Sequence, residues 1–128
     1  MVNDTPTEAA ENKAFMHYLR MKGYKYTHIK NETGRAMQGG KVRNYRALYG
    51  YLDGVSPGFP DFLVIAGSKL IAIEMKRTKG GRASPAQLEW IQALQHAGVR
   101  SAVCLGHRQA IDFIEDVVNP NDMWPEIA

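Results

Sequence analysis

Residues 58–77 read GFPDFLVIAGSKLIAIEMKR, and the placement of charge within this apolar run decides the fold. The part FLVIAGSKLIAIEMK is two β-rich runs separated by Ala66-Gly67-Ser68-Lys69, which signals a hairpin. A run built for burial nonetheless carries Asp61 at one end and Glu74 and Lys76 at the other. Charged side chains are rarely buried without a partner or an ion. If the hairpin turns symmetrically about Gly67-Ser68, Ala66 faces Lys69, Ile65 faces Leu70, and the ladder continues until Asp61 lies opposite Glu74. Directly paired residues share a face, with Cβ atoms roughly 4.5 to 5.5 Å apart. Lys76, two residues beyond Glu74, stands on that same face.

Two opposed carboxylates repel, and a divalent cation between them reverses the sign of the interaction. Carboxylate oxygens, a backbone carbonyl and water suit magnesium or manganese rather than zinc. Such an ion lowers the pKa of a water and stabilises charge developing on a phosphate. Lys76 is placed to orient that water. The pattern has an ordinary explanation too, an ion pair of Lys76 with Asp61 or Glu74 at a solvated strand end. The hairpin register, the cations on both sides and Pro60, which fixes the chain just before Asp61, favour the first reading.

Outward from the hairpin, a helix is expected from about Thr7 to Lys22, with Phe15, Tyr18 and Leu19 at helical spacing and Gly23 as its stop. KYTHIK, residues 25–30, alternates as a short strand. Residues 31–58 lose periodicity and read as mostly loop, with a short helix near Asn44 to Tyr51. Cations and the aromatics Tyr45, Tyr49 and Tyr51 occur together there, as in a surface that holds phosphates and stacks on bases, or as in a tyrosine-lined flap packed on the core. TKGGRA after the hairpin is a basic loop. Ser84-Pro85-Ala86-Gln87 then offers a capping serine, proline at the first helical position and glutamine at the third. Leu88, Ile91 and Leu94 form the expected buried stripe of that helix, and Gly98 closes it. VRSAVCLG reads as a further strand and residues 108–118 as a last helix, with Ile111, Ile114 and Val118 inward.

The 128 residues, 45% hydrophobic and 23% charged, have the composition of one globular domain. We expect a single domain over 1–128, with 1–6 and 120–128 as peripheral tails. No apolar run approaches the roughly 20 residues needed to span a bilayer, and the polar N-terminus is unlike a signal peptide, so the expected location is cytoplasmic. Cys104 is the sole cysteine; that removes intramolecular disulfides and multi-cysteine zinc sites, and Cys104 reads as a buried core thiol. The net charge of +3 says less than its distribution. Arg20, Lys22, Lys25, Lys30, Arg35, Lys41, Arg43 and Arg46 face only Glu32 across residues 20–46, whereas no Lys or Arg follows Arg108. A basic block of this kind fits a polyanionic partner, or simply a solvated face. Among the histidines, His28 reads as packed, His17 and His96 as surface or boundary residues, and His107 as helix-cap or loop chemistry. Trp90 reads as core or a dimer contact.

GFPDFLVI, LIAIEMKR and GGRASPAQLEWIQALQHAG together resemble the PD-(D/E)xK nuclease core, and specifically its VRR-NUC branch, with a Pro-Asp, a Glu-x-Lys and a following Ser-Pro-x-Gln helix. HIKNETGR is similar to the segment that precedes the active site in that family. The resemblance runs from about Glu8 to Val118, as in stand-alone members from phages and bacteria. It implies an α/β, restriction-endonuclease-like core: a mixed central sheet with a β-hairpin carrying the active site, and flanking helices. It also implies magnesium- or manganese-dependent phosphodiester hydrolysis and, for stand-alone members, homodimers that cut branched DNA such as four-way (Holliday) junctions. Carried over, Asp61 and Glu74 become metal ligands, the Met75 carbonyl a further ligand, Lys76 the catalytic lysine, and Gln87 an active-site residue as well as a capping one. The family's first-helix glutamate falls to Glu11, nearer the apolar stripe, with Glu8 and Glu32 as alternatives; the helix dipole alone also explains an acid in the first turn. Lys30, Arg35, Lys41, Arg43, Arg46, Arg77, Lys79 and Arg82 are the expected DNA-backbone contacts. Two other functions remain open to the sequence: a flap, nick or single-strand nuclease of the same fold, and a non-catalytic DNA-binding module in which the triad is only an ion-pair cluster.

Overall fold

Thr7 opens the first helix as the capping spacing requires: its Oγ1 accepts the Ala10 N–H at 3.1 Å. Helix α1 (Glu8–Lys22) follows, with Glu8 and Glu11 in its first turn, and ends at Gly23 in the left-handed region (φ 71°). Its inward stripe is Glu11, Phe15 and Leu19, one residue per turn. The computed structural model describes residues 4–29, 35–38, 41–44 and 56–120, the two short middle stretches as backbone.

Strand β1 (Lys25–His28) pairs antiparallel with β4 (Phe62–Ala66), and β4 pairs antiparallel with β5 (Lys69–Lys76). The β4–β5 register is the symmetric one, with Ala66 opposite Lys69 and Phe62 opposite Ile73. Gly67 and Ser68 both have positive φ, 58° and 63°, the two-residue turn whose twist matches that of the flanking strands. Strand β6 (Arg100–Leu105) adds to β5 in parallel, giving the order β1-β4-β5-β6. A parallel neighbour needs a crossover, and α2 (Pro85–His96) supplies it. Helix α3 (Gly106–Val118) is the last element among the described residues.

The sheet's two faces carry different chemistry because strand side chains alternate. Phe62, Val64, Ala66, Ile71, Ile73 and Met75 point to one face and pack with Phe15 and Leu19 of α1 and Ala110, Ile114 and Val117 of α3. Each large side chain buried in this core contributes roughly 1.5–3 kcal/mol. Cys104 lies in the same core, 2% exposed, with its thiol pushed up to about 12 by burial, as its apolar context implied. The other face of β5 presents Ala72 and Glu74 to α2, where Ser101 Oγ donates to the Ile91 carbonyl and Gln95 Nε2 to that of Ser101.

Two readings of the sequence change. Within residues 31–58, read as mostly loop, β2 (Arg35–Gln38) and β3 (Lys41–Asn44) form an antiparallel ribbon, Arg35 opposite Asn44 and Gln38 opposite Lys41. Neither strand has an apolar face to set up a period of two, so Gly39-Gly40 was the only local sign of a turn. Asn44 ends β3, and the rest of the short helix expected near 44–51 lies outside the described residues. In α2 the buried stripe is Gln87 and Ile91, with Leu88 45% exposed. The helix is rotated so that a polar residue faces the polar end of β5.

Candidate metal centre

The hairpin ladder ends at Phe62 and Ile73, so the next facing residues are Asp61 and Glu74, the two carboxylates that the sequence register brought together. Asp61 stays fixed after the strand ends. Its backbone carbonyl accepts the Ile29 N–H at 2.6 Å, and its Oδ2 accepts the Met75 N–H at 3.0 Å. Its side chain therefore replaces a missing ladder bond, leaving the other oxygen free of that role. Asp61 is 7% exposed and Glu74 1%.

Glu74 Oε2 has two donors: Gln87 Nε2 at 3.0 Å and Lys76 Nζ at 3.3 Å. Glu74 Oε1 is buried and has no hydrogen-bond partner. An orphaned carboxylate oxygen beside a second carboxylate is costly in a protein interior. Burial and the negative charge of Asp61 push the Glu74 carboxyl up to about 8, and burial also raises Asp61. Oxygen atoms of Glu8, Asp61 and Glu74 lie within 4.8 Å of one another. Glu8 is raised as well, first by burial and further by Asp61, against the lowering effect of Lys76. Three converging carboxylates, one of them with an unpartnered oxygen, fit a hard divalent cation.

Gln87 performs both roles read from Ser84-Pro85-Ala86-Gln87. Its Oε1 accepts the Ser84 N–H at 2.8 Å, Ser84 Oγ accepts its N–H at 3.2 Å, and its Nε2 is free to reach Glu74. Gly58, at φ 91°, lets the chain before Asp61 pass against the start of α2: a Cβ there would lie 2.6 Å from the Ala86 carbonyl carbon. The helix start and the hairpin are thus locked together at backbone distance.

The structure puts Glu8, not Glu11, beside Asp61 and Glu74. Glu11 lies one turn further along α1 and is 3% exposed, but its carboxylate faces α3, where Oε1 accepts the backbone N–H of His107 at 2.9 Å and meets its Nδ1 at 2.6 Å. Burial alone would raise Glu11, yet the hydrogen bonds from His107 hold it below the usual range. Nearness to the apolar stripe pointed to Glu11; that nearness instead carries it past the sheet end into the α1–α3 seam. Glu32 lies outside the described residues.

The expected DNA contacts divide. Lys79 and Arg82 are exposed on the loop after β5. Arg77 is committed within the chain, its Nε donating to the Pro6 carbonyl at 3.3 Å and its Nη2 to that of Thr5 at 3.5 Å. Arg35, Lys41 and Arg43 lie on the β2–β3 ribbon; Lys30 and Arg46 lie outside the described residues. His28 stacks on Phe62, its cross-strand partner, with centroids 4.5 Å apart, and Trp90 packs edge-on against Phe59 at 5.0 Å. His107 and Arg77 were legible as cap and cation, but their contacts to α1 and to the chain just before it span 96 and 71 residues, beyond any local pattern. Among the described residues no helix is long and apolar enough to cross a membrane.

A model of the VRR-NUC domain matches residues 10–108. A solved structure of a protein described as a VRR_NUC domain protein is similar at 23% identity, with a TM-score of 0.62 and 89% of each chain covered; at that identity the likeness is one of fold. No curated protein matches the sequence.

Proposed function

We propose, from the premise that this chain belongs to the VRR-NUC domain family and has its nuclease-type fold, that it is a divalent-metal-dependent endonuclease acting on branched DNA, four-way junctions foremost. The observation that carries the reading is Glu74 Oε1, buried and unpartnered among three carboxylates. A non-catalytic module would gain nothing from that arrangement and would bear its cost.

Glu8, Asp61 and Glu74, with the Met75 carbonyl, would hold magnesium or manganese. When bound, such an ion supplies positive charge where the scissile phosphate gains negative charge and acidifies a water. The chain's own residues do the rest. Gln87 Nε2 donates to Glu74 Oε2 and holds that carboxylate in one rotamer, so Oε1 is presented rather than hydrogen-bonded away. Lys76 Nζ, on the same face of β5 and 13% exposed, lies 3.3 Å from Glu74 Oε2, where it would orient a water or a phosphate oxygen. Asp61 is held by the Met75 N–H and keeps one oxygen for the ion. Lys79 and Arg82, with the cations of the β2–β3 ribbon, grip neighbouring phosphates.

Resemblance to the junction-cutting members supports a homodimer. Two equivalent sites related by a two-fold axis make paired cuts across a junction in one encounter.

The test is a gel assay with labelled four-way junction, flap, nicked and linear duplex DNA, each with EDTA, magnesium or manganese. Paired, metal-dependent cuts confined to the junction are the expected result. Cuts in flaps or single strands would keep the chemistry and change the substrate. Binding without metal and no cut on any substrate would leave the triad as a charged cluster in a DNA-binding fold. Asp61→Asn should abolish cleavage while DNA binding persists in a mobility-shift assay; a cutting Asp61→Asn protein overturns the assignment.

A further inference from the structure

Glu8 sits in the first turn of α1, where a helix frays most easily because four N–H groups lack intrahelical partners. The Thr7 cap secures the turn itself but not its position against the sheet. Two contacts from distant elements do that, one on each side of Glu8 in the sequence. On the N-terminal side, Arg77 donates to the Thr5 and Pro6 carbonyls at 3.5 and 3.3 Å. Arg77 directly follows Lys76, so this contact ties the chain before α1 to the end of the strand that carries Glu74 and Lys76. On the C-terminal side, Glu11 accepts both the backbone N–H and Nδ1 of His107. A carboxylate only accepts, so Nδ1 carries the proton.

The Glu11 contact is unusual in where its acceptor comes from. Leu105, the N-cap position of α3, makes no side-chain cap hydrogen bond, and the carboxylate of Glu11 satisfies an orphan N–H there from another helix. The positive end of the α3 dipole favours the anion. Glu11 is 3% exposed, so the pair is shielded from solvent on the carboxylate side.

We infer that Arg77 and His107, acting on Thr5–Pro6 and Glu11, are positioning residues that clamp the first turn of α1 and so hold Glu8 within reach of Asp61 and Glu74. This rests on the metal-centre reading above. Neither residue touches the carboxylate group itself. Their effect on it passes along one helical turn from Glu11 on one side and through the capping residue Thr7 on the other. Groups that orient a metal ligand typically change metal affinity by roughly 10- to 100-fold when removed, and a contact acting through a helix turn belongs at the low end, about tenfold.

The experiment is direct titration of Mn2+ into the full chain without DNA, with free Mn2+ read by electron paramagnetic resonance. The series is wild type, Glu8→Gln, Arg77→Ala, His107→Ala, His107→Asn and the Glu8→Gln/His107→Ala pair, each first shown to be folded by circular dichroism. Arg77→Ala and His107→Ala should each weaken Mn2+ binding about tenfold. His107→Asn, whose amide N–H can stand where Nδ1–H stood, should recover most of that loss. In the Glu8→Gln background, His107→Ala should add nothing, because the ligand it positions is already gone. Unchanged binding in Arg77→Ala and His107→Ala overturns the clamp, as does an undiminished His107→Ala loss in the Glu8→Gln background. Wild type that binds Mn2+ with no dependence on Glu8 overturns the clamp alone, whereas wild type that binds no Mn2+ overturns the metal reading and the clamp together.

Discussion

Gln87 stands at the junction of stability and chemistry: one amide oxygen closes the capping box of α2 and one amide nitrogen orients Glu74. Gln87→Ala removes both at once. Loss of the reciprocal capping-box hydrogen bond should cost about 1 kcal/mol in urea unfolding, and loss of the Glu74 contact should lower metal-dependent cleavage about tenfold or more. Gln87→Glu separates the two. It keeps a carboxyl oxygen for the Ser84 N–H but places a third acid against Glu74, so its stability penalty at neutral pH should exceed that of Gln87→Ala and fall when divalent ion is added. Cleavage and unfolding measured on the same two variants check this. Lys76 needs no long-range information to be picked out, since its alternation with Glu74 on β5 sets it on the shared face.

The hairpin and α2 act as a pair of elements pinned at Gly58. A side chain there meets backbone atoms, the Ala86 carbonyl carbon at 2.6 Å and the Gln87 nitrogen at 2.8 Å, and backbone in the first turn of a capped helix cannot yield as a flexible side chain can. The positive φ of 91° adds strain of about 1 kcal/mol or more for any L side chain. Gly58→Ala is therefore expected to push α2 away from β5, break the Gln87–Glu74 bond and lose most cleavage, with a drop in melting temperature; an active, equally stable Gly58→Ala protein would contradict this packing.

At the scale of the whole molecule, the carboxylate group ties folding to protons and, on the metal-centre reading, to a divalent ion. Glu74 is raised from 4.5 to about 8, with Asp61 and Glu8 also raised. The folded, metal-free protein thus binds more protons than the unfolded chain between pH 4.5 and 8, and its stability falls as pH rises through that window. Glu11 is lowered instead; its contribution is lost only as pH drops below the ordinary carboxylate range, and Cys104 titrates near 12, so neither obscures the effect. Metal binding needs the ionised carboxylates and so strengthens with pH. The metal-free melting temperature should be higher at pH 5 than at pH 8, and manganese should raise it little at pH 5 and most at pH 8. A manganese shift independent of pH would remove these carboxylates from the binding site.

Much of this was legible locally. Two β-rich apolar runs and a Gly-Ser turn specified the hairpin, and because side chains alternate, its register brought Asp61 to Glu74 before any tertiary information was needed. Capping chemistry likewise located the end of α1 at Gly23 and the start of α2 at Ser84. The β2–β3 ribbon was not legible, since its strands lack the apolar face that makes a period visible. The same holds for Leu88 and Gln87, whose burial depends on how α2 is rotated against β5. Glu8 and Glu11 share a helix face, and propensity treats them alike. Only the packing of α1 against the sheet end and α3 sends one to the carboxylate group and the other to His107, because which partner a helical side chain meets is set by the elements around the helix, not by its own period.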